Sequence, residues 1–117
     1  MAYIDCFVAA VPKDQREAFL NHARVAAEVF KDCGALRVVD CWAEDVPDGE
    51  VTSFPMAVKC GADESVALGW VEWPDKETRN AGFEKLMQDS RMDPATNPMP
   101  FDGKRLIFGG FDKISDV

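Results

Sequence analysis

Four residues have side chains and positions that suit proton transfer. His22 is the single histidine of this 117-residue chain, and Asp5, Asp40 and Glu72 interrupt apolar, strand-like runs. Histidine is the side chain whose ordinary pKa lets it gain or lose a proton near neutral pH. A carboxylate in a sheet covered on both faces is costly unless it is paired or lies in a wet cavity. Burial there raises its pKa, so the candidate catalytic residues are His22, Asp5 and Glu72.

Each of these candidates also has a structural explanation, which the sequence alone favours. His22 lies three residues after Phe19 and so borders an apolar helical stripe, without an obvious acidic or cysteine partner. The acidic residues are equally explained as strand-end residues, or as ion-pair partners of Arg37 and Arg105. The residue types therefore assign no catalytic residue.

Aromatic side chains are the candidates for a pocket wall. Phe7, Trp42 and Trp70 lie in strand-like runs, and Arg105 follows a turn that would place it at a pocket rim. The alternative is that the rings belong to the core or to a dimer interface, which is the commoner use of such residues.

The sequence carries no recognised motif for a metal or a phosphate. It contains neither Glu-x-x-His nor His-x-x-x-His spacing, and no Gly-x-Gly-x-x-Gly or Gly-x-x-x-x-Gly-Lys run. Pro100–Arg105 holds one glycine, Gly103, and predicts a turn into the last strand rather than an anion-binding loop. We therefore expect no metal and no cofactor.

The four cysteines indicate a reducing compartment. Cys6, Cys33, Cys41 and Cys60 form no Cys-x-x-Cys pair, and Cys6 and Cys41 lie within apolar runs. We expect all four thiols to be reduced, in a cytoplasmic protein. Cys33, at a predicted helix end, is expected to be the most accessible of them, although a helix C-terminus disfavours a thiolate.

Charge and hydropathy exclude several partners. Thirteen Lys and Arg against 21 Asp and Glu leave a net charge of −8, which repels phosphate backbones and acidic lipid surfaces. No apolar stretch approaches the roughly 20 residues that cross a bilayer. The chain enters a strand-like run at Tyr3, so no signal peptide is expected. Nucleic acid and membrane are therefore not expected partners.

The first half of the chain predicts a strand, a helix and a strand. Residues 3–10 are rich in β-branched and aromatic types. A helix opens at Lys13 and Asp14 and ends at Gly34, with one apolar stripe. That stripe comprises Phe19, Ala23, Ala26, Phe30 and Cys33. Residues 35–45 form the second strand and 46–50 a turn.

The second half repeats this order. Residues 51–64 are either a short helical turn capped by Ser53 or a β segment, and 65–73 form a strand. Asp75 caps a helix that runs to about Ser90, with Phe83, Leu86 and Met87 on its buried side. A loop over 91–103 precedes a last strand over 104–114, in which a glycine pair indicates a bulge or a close approach. The whole chain, residues 1–117, is predicted to be one α+β domain of the ferredoxin-like βαββαβ plan, an antiparallel sheet with two helices on one face.

The strands carry apolar residues on both faces. Leu68 and Trp70 alternate with Val71 and Trp73, and a half-solvated sheet would alternate apolar with polar instead. Helices cover one face, and a chain of this length has nothing left to cover the other. We therefore expect a homodimer that buries sheet against sheet.

Three runs of the sequence resemble one bacterial family. GALRVVDCWAEDVPDGEV, GWVEWPDKETR and MPFDGKRLIFGGF are similar to the YbaA-like proteins, whose function is unknown, and the resemblance extends from YIDCFV to the last strand. It implies the dimeric α/β-barrel form of the ferredoxin-like fold and no particular activity. That fold group includes cofactor-free monooxygenases and haem-degrading enzymes. The motif around Asn21 and His22 differs from the haem-ligand motif, so no ligand role is transferred.

Two functions therefore remain open. One is the binding, or the cofactor-independent oxidation, of a small hydrophobic molecule in a pocket between sheet and helices. The other is a non-catalytic dimer, acting as an interaction or stress-related protein. A solidly filled space between helices and sheet would contradict the first, and a stoichiometric copurifying ligand would contradict the second.

Overall fold

Each strand and helix begins and ends at a residue with a local reason to do so. In the computed structural model, which describes residues 2–117, the first strand, β1, continues beyond the predicted residues 3–10 to Pro12. The elements are β1 (Tyr3–Pro12), α1 (Arg16–Asp32), β2 (Arg37–Trp42), α2 (Phe54–Ala57), β3 (Glu64–Trp73), α3 (Lys76–Gln88) and β4 (Ile107–Asp112). Short 3-10 turns, Lys13–Gln15 and Ser90–Met92, precede α1 and follow α3.

The four strands form one antiparallel sheet with the order β2-β3-β1-β4. β1 pairs with both β3 and β4, and β2 pairs with β3, in an unbroken register. The predicted βαββαβ plan of the ferredoxin-like fold is therefore confirmed. Since β1 and β2 are separated by β3, helix α1 crosses over the sheet and lies on one face.

Side-chain and backbone caps set the helix boundaries. The Asp75 carboxylate accepts a hydrogen bond from the Thr78 N–H at 2.7 Å, which confirms the predicted start of α3. Gly34 follows α1 with φ +113°, a left-handed conformation that favours glycine. The Ser53 hydroxyl accepts from the Met56 N–H at 3.1 Å, so the helical alternative for residues 51–64 is the correct one.

The helix face of the sheet is made by the odd-numbered residues of β1 and β3 and their register partners. Two buried clusters lie on it. The first, near the end of β1, joins Ala9, Val11, Phe19, Ala23 and Ala67. The second, near the start of β1, joins Tyr3, Ala35, Val71 and the fully buried Trp73. α3 approaches Trp73 closely, since a Cβ at Gly82 would lie 2.6 Å from the indole.

The open face is made by the even-numbered residues of β1 and β3, with Val39, Cys41, Ile107 and Phe111 beside them. The sequence prediction that nothing in the chain covers this face is wrong at one end. Val58, directly after α2, packs there against Ala10 and Val66. At the other end Ile107 and Phe111 are 45% and 58% exposed.

Three further predictions need correction. Met87 is 83% exposed, because the buried contact of α3 is made at Gly82 and Phe83. Cys33 is buried at the end of α1, and Cys41 on the edge strand β2 is the exposed thiol. β4 begins only at Ile107, since Asp102 accepts hydrogen bonds from the Lys104 and Arg105 backbone in the predicted turn.

The glycine pair of β4 marks a close approach rather than a bulge. The register between β1 and β4 runs residue by residue through Gly109 and Gly110. A Cβ at Gly110 would lie 2.7 Å from the Tyr3 ring. Within residues 2–117, no helix has the length and apolar character needed to cross a membrane.

Candidate functional site

A cavity of about 250 Å³ lies between α1 and the helix face, in the gap between the two buried clusters. Its walls come from all four strands, α1, α3 and the loop after α3. The residues that line it include Asp5, Phe7, His22, Asp40, Phe101 and Phe108. The volume lies just below the roughly 300–1,000 Å³ of ordinary small-molecule pockets.

Small residues on one side and rings on the other keep the cavity open. The Phe7 ring lies over Gly69, where any Cβ would clash with it. Ala23 and Ala26 present methyl groups from α1. Phe101 packs against Phe19 at 6.0 Å between ring centroids and closes the cavity from the loop after α3. Gly69 therefore makes room for the Phe7 ring, and α1 places alanine where larger side chains would fill the cavity.

His22 is held in one orientation at the cavity wall. The Asn97 amide oxygen lies 3.0 Å from His22 Nδ1, and the imidazole meets the Phe101 ring edge-on with 6.3 Å between centroids. An amide oxygen only accepts, so Nδ1 carries the proton and Nε2 carries the lone pair in the neutral ring. His22 therefore presents an acceptor, or a base, at Nε2.

Asp40 supplies a second acceptor from the edge strand β2. It lies opposite Gly69 in the register and lines the cavity. Desolvation raises the pKa of the Asp40 carboxyl, and the charge of the nearby His22 opposes that rise. The two groups are therefore close enough to interact electrostatically.

Asp5 lines the same cavity but its carboxylate is fully engaged. One oxygen accepts from Trp73 Nε1 at 2.9 Å and from Arg79 Nε at 3.1 Å, and the other accepts from Arg79 Nη2 at 2.9 Å. The guanidinium stacks over the rings of Tyr3 and Phe83. Hydrogen bonding to Asp5 raises the pKa of Arg79. Asp5 is therefore the ion-pair partner of the partly buried Arg79. The sequence prediction had offered Arg37 and Arg105 as the cations that pair with the strand carboxylates.

Of the remaining predicted site residues, Phe7 lines the cavity and the others lie outside it. Trp42 packs behind the wall against Phe19, with 6.0 Å between ring centroids. Trp70 and Glu72 lie on the open face, where the indole N–H donates to the Glu72 carboxylate at 3.0 Å. This corrects their placement, because strand alternation turns both away from Asp5.

Arg105 also lies outside the cavity. Its guanidinium donates to both Glu64 carboxylate oxygens at 2.7 Å and to the Lys59 carbonyl at 2.9 Å. The pKa of Glu64 falls to about 2, first because of the Arg105 hydrogen bonds and then because Gly61 N–H donates to it. Arg105 thus joins the last turn to the segment that covers the open face.

The loop after α3 contributes site residues that the sequence prediction missed. Met92, Met99 and Phe101 line the cavity, and Asn97 holds His22 across 75 positions of sequence. A three-proline loop of this length was a usable signal, since long loops without regular structure in small domains are commonly functional. In residues 2–117, no three His, Cys, Asp or Glu side chains come together in a metal-binding arrangement.

Comparison with known proteins identifies the family. The model of the family described as "Protein of unknown function (DUF1428)" matches residues 2–103, so the chain belongs to that family. The uncharacterized protein YbaA of Escherichia coli K12 is 53% identical over 116 residues, covering 99% of each chain. A protein of the same name in Shigella flexneri gives the same values.

Solved structures support the fold. A dimeric ferredoxin-like protein from an uncultured marine organism superposes with a TM-score of 0.66 at 12% identity, over 99% of this chain and 98% of its own. SnoaB, a cofactor-independent oxygenase from Streptomyces nogalater, superposes with a TM-score of 0.56 at 15% identity, over 99% and 96%. At these identities the likeness establishes the ferredoxin-like fold alone.

Proposed function

We propose that the protein binds a small hydrophobic molecule in the cavity between α1 and the helix face. The observation that carries this proposal is a preserved apolar space of about 250 Å³ whose wall includes an oriented imidazole. An unfilled volume of this size in a small domain costs stability, because its walls lose packing contacts. Binding a ligand recovers those contacts.

The same site would support oxidation of the bound molecule by dioxygen without a cofactor. His22 Nε2 would accept a proton from an activated methylene carbon, and the resulting carbanion would pass electrons to dioxygen. The peroxide formed on that carbon would lose water, leaving a carbonyl group: one oxygen atom enters the product and the other leaves as water. The activity of one structural neighbour, the cofactor-independent oxygenase SnoaB, supports this chemistry as a proposal for the present chain.

The proposed active form is a homodimer that packs open face against open face. Ile107 and Phe111 are exposed there on β4, and the half-buried Leu68 and Trp70 lie on the same face beyond β1. A structural neighbour described as dimeric supports a second copy as the occupant. A cytoplasmic location is part of the proposal and is supported by four free cysteines.

The binding function is tested with a fluorescent probe and a variant in which a larger side chain fills the cavity. Ala26→Phe places a ring in the cavity, whereas Ala81→Phe places the same ring on the exposed surface of α3. We expect naphthalene, a neutral fluorescent two-ring probe, to bind the wild type and the Ala81→Phe variant, and to lose at least tenfold in affinity for Ala26→Phe. Equal binding by all three proteins would contradict the proposed site.

Oxygen uptake separates catalysis from binding. With a bound two-ring compound that carries an activated methylene carbon, such as 2-tetralone, an oxygen electrode should record consumption that falls at least tenfold in His22→Gln. Binding without enzyme-dependent uptake would instead favour the non-catalytic function.

A further inference from the structure

We propose that the ligand of the cavity is an uncharged aromatic molecule carrying a hydroxyl group that donates a hydrogen bond to His22 Nε2. This inference rests on the proposed binding function and names the chemical class of the ligand. Three features of the cavity support it: the hydrogen-bonding atoms of its lining, the charges of its lining, and the shape of its aromatic wall.

The described side chains that line the cavity offer hydrogen-bond acceptors and no uncommitted strong donor. The Asn97 amide nitrogen, which is buried without a hydrogen-bond partner, belongs to a residue outside this lining. No Lys, Arg, Ser, Thr, Asn, Gln, Tyr or Trp side chain lines it. Asp5 is saturated by three hydrogen bonds from Trp73 and Arg79. Asn97 holds the proton on Nδ1 of His22, so Nε2 accepts, and Asp40 supplies the other acceptor. A complementary ligand must therefore donate.

Charge selects against ionised ligands. Two aspartates line the cavity, and the chain carries a net charge of −8, so a carboxylate or a phosphate is repelled. An ammonium group would meet one carboxylate, that of Asp40, among walls that are otherwise almost entirely apolar. Removing a cation from water is repaid only with full pairing, so a neutral donor is favoured.

The rings of the wall define the shape of the ligand. Six phenylalanines line the cavity: Phe7, Phe19, Phe30, Phe83, Phe101 and Phe108. Aromatic edges and faces pack best against another flat ring. A volume of about 250 Å³ admits one ring or two fused rings with a single substituent. A naphthol is therefore the simplest probe that donates a hydrogen bond, carries no charge and has a flat ring system.

Isothermal titration of four naphthalene probes tests the class. The probes are 2-naphthol, 2-methoxynaphthalene, 2-naphthoate and 2-naphthylmethylammonium, which share a ring system and differ in donor capacity and charge. We expect 2-naphthol to bind about tenfold more tightly than the methoxy compound, as one hydrogen bond in an apolar site allows. The two ionised probes should bind more weakly than either.

Variants assign the donor contact to His22 and its orientation to Asn97. His22→Leu and Asn97→Ala should each bring the ratio of naphthol to methoxynaphthalene affinity close to one. Binding of the methoxy compound should persist in both variants, which shows that they remain folded. Asp45→Asn, an exposed acidic residue beyond β2, is the matched control and should keep the tenfold ratio.

The outcomes separate this inference from the proposed function. Equal affinity for naphthol and methoxynaphthalene, or tightest binding of the ammonium or carboxylate probe, would overturn the ligand class while leaving the cavity as a binding site. Failure of all four probes to bind, together with unchanged naphthalene binding in Ala26→Phe, would reject the binding function itself. An unchanged ratio in His22→Leu would reject the assigned contact.

Discussion

The two faces of the sheet are covered in opposite ways. On the helix face, two buried clusters form where α1 and α3 meet the strands, and the cavity remains between them. On the open face, the chain covers one end with Val58 and leaves apolar side chains exposed at the other. The helix face thus combines rigid packing at its ends with space at its centre. The open face, by contrast, has no cover at one end within residues 2–117 of a single chain.

The largest effect is expected at the packed end of the helix face. Trp73→Ala removes a fully buried indole and its hydrogen bond to Asp5, and should lower the free energy of unfolding by about 3–5 kcal/mol. Urea denaturation measures this change. Leu20→Ala, on the outer side of α1, is the control and should cost much less. A comparable loss for both variants would mean that the cluster around Trp73 does not hold the two helices.

Asp5→Asn tests whether the cavity carboxylate is a structural partner. The Asp5 and Arg79 side chains are 14% and 20% exposed, so the variant leaves a partly buried guanidinium without its counter-charge. We expect a loss of about 1–3 kcal/mol in unfolding free energy, measured by urea titration. Asp112→Asn, on the neighbouring strand β4, should be nearly neutral because Asp112 is exposed. Unchanged stability in Asp5→Asn would assign Asp5 to ligand binding instead.

Glu64→Gln tests how the cover of the open face is held. The pKa of Glu64 is about 2 in the folded protein against an ordinary value of 4.5, so the folded state favours the ionised form. Its contribution to stability is present above pH about 4.5 and is lost as the pH falls towards 2. Thermal unfolding should show a wild-type advantage of a few degrees at pH 7 that closes by about pH 2. A gap independent of pH would contradict the ionic explanation.

Phe111→Asp should alter assembly while changing the stability of the single chain least. Phe111 is 58% exposed on the open face, so its replacement should change the unfolding free energy of the monomer by no more than about 0.5 kcal/mol. Sedimentation should give twice the 13.0 kDa chain mass for the wild type and a single chain mass for the variant. Met87→Asp, at a position 83% exposed on α3, should remain dimeric. A wild-type monomer at micromolar concentration would reject the dimer.

Local patterns predicted the elements well because their causes are local. The β-branched and aromatic residues of β1, the apolar stripe of α1 and the Asp75 cap are all patterns among residues a few positions apart. The boundary errors have local causes too. β4 starts after the Asp102 turn, and α3 ends at Gln88 before a separate 3-10 turn.

The candidate site was predictable only in part. His22 was a candidate because of its residue type and Phe7 because it is an aromatic residue in a strand-like run, and both line the cavity. Glu72 and Trp70 share a strand with cavity residues, but strand alternation places them on the other face. Predicting that difference requires knowing which parity faces the helices, and apolar residues on both faces remove that signal.

The sequence by itself determined the order of strands and helices, the sign of the surface charge and the presence of apolar residues on both faces of the sheet. Only the tertiary structure decided which carboxylate is engaged, which imidazole nitrogen accepts, and that a cavity remains between the clusters. Arg79 lies 74 positions from Asp5, and Asn97 lies 75 positions from His22. Such contacts arise from chain crossover and packing, since the free energy of long-range pairing is shared among many residues rather than written in any local pattern.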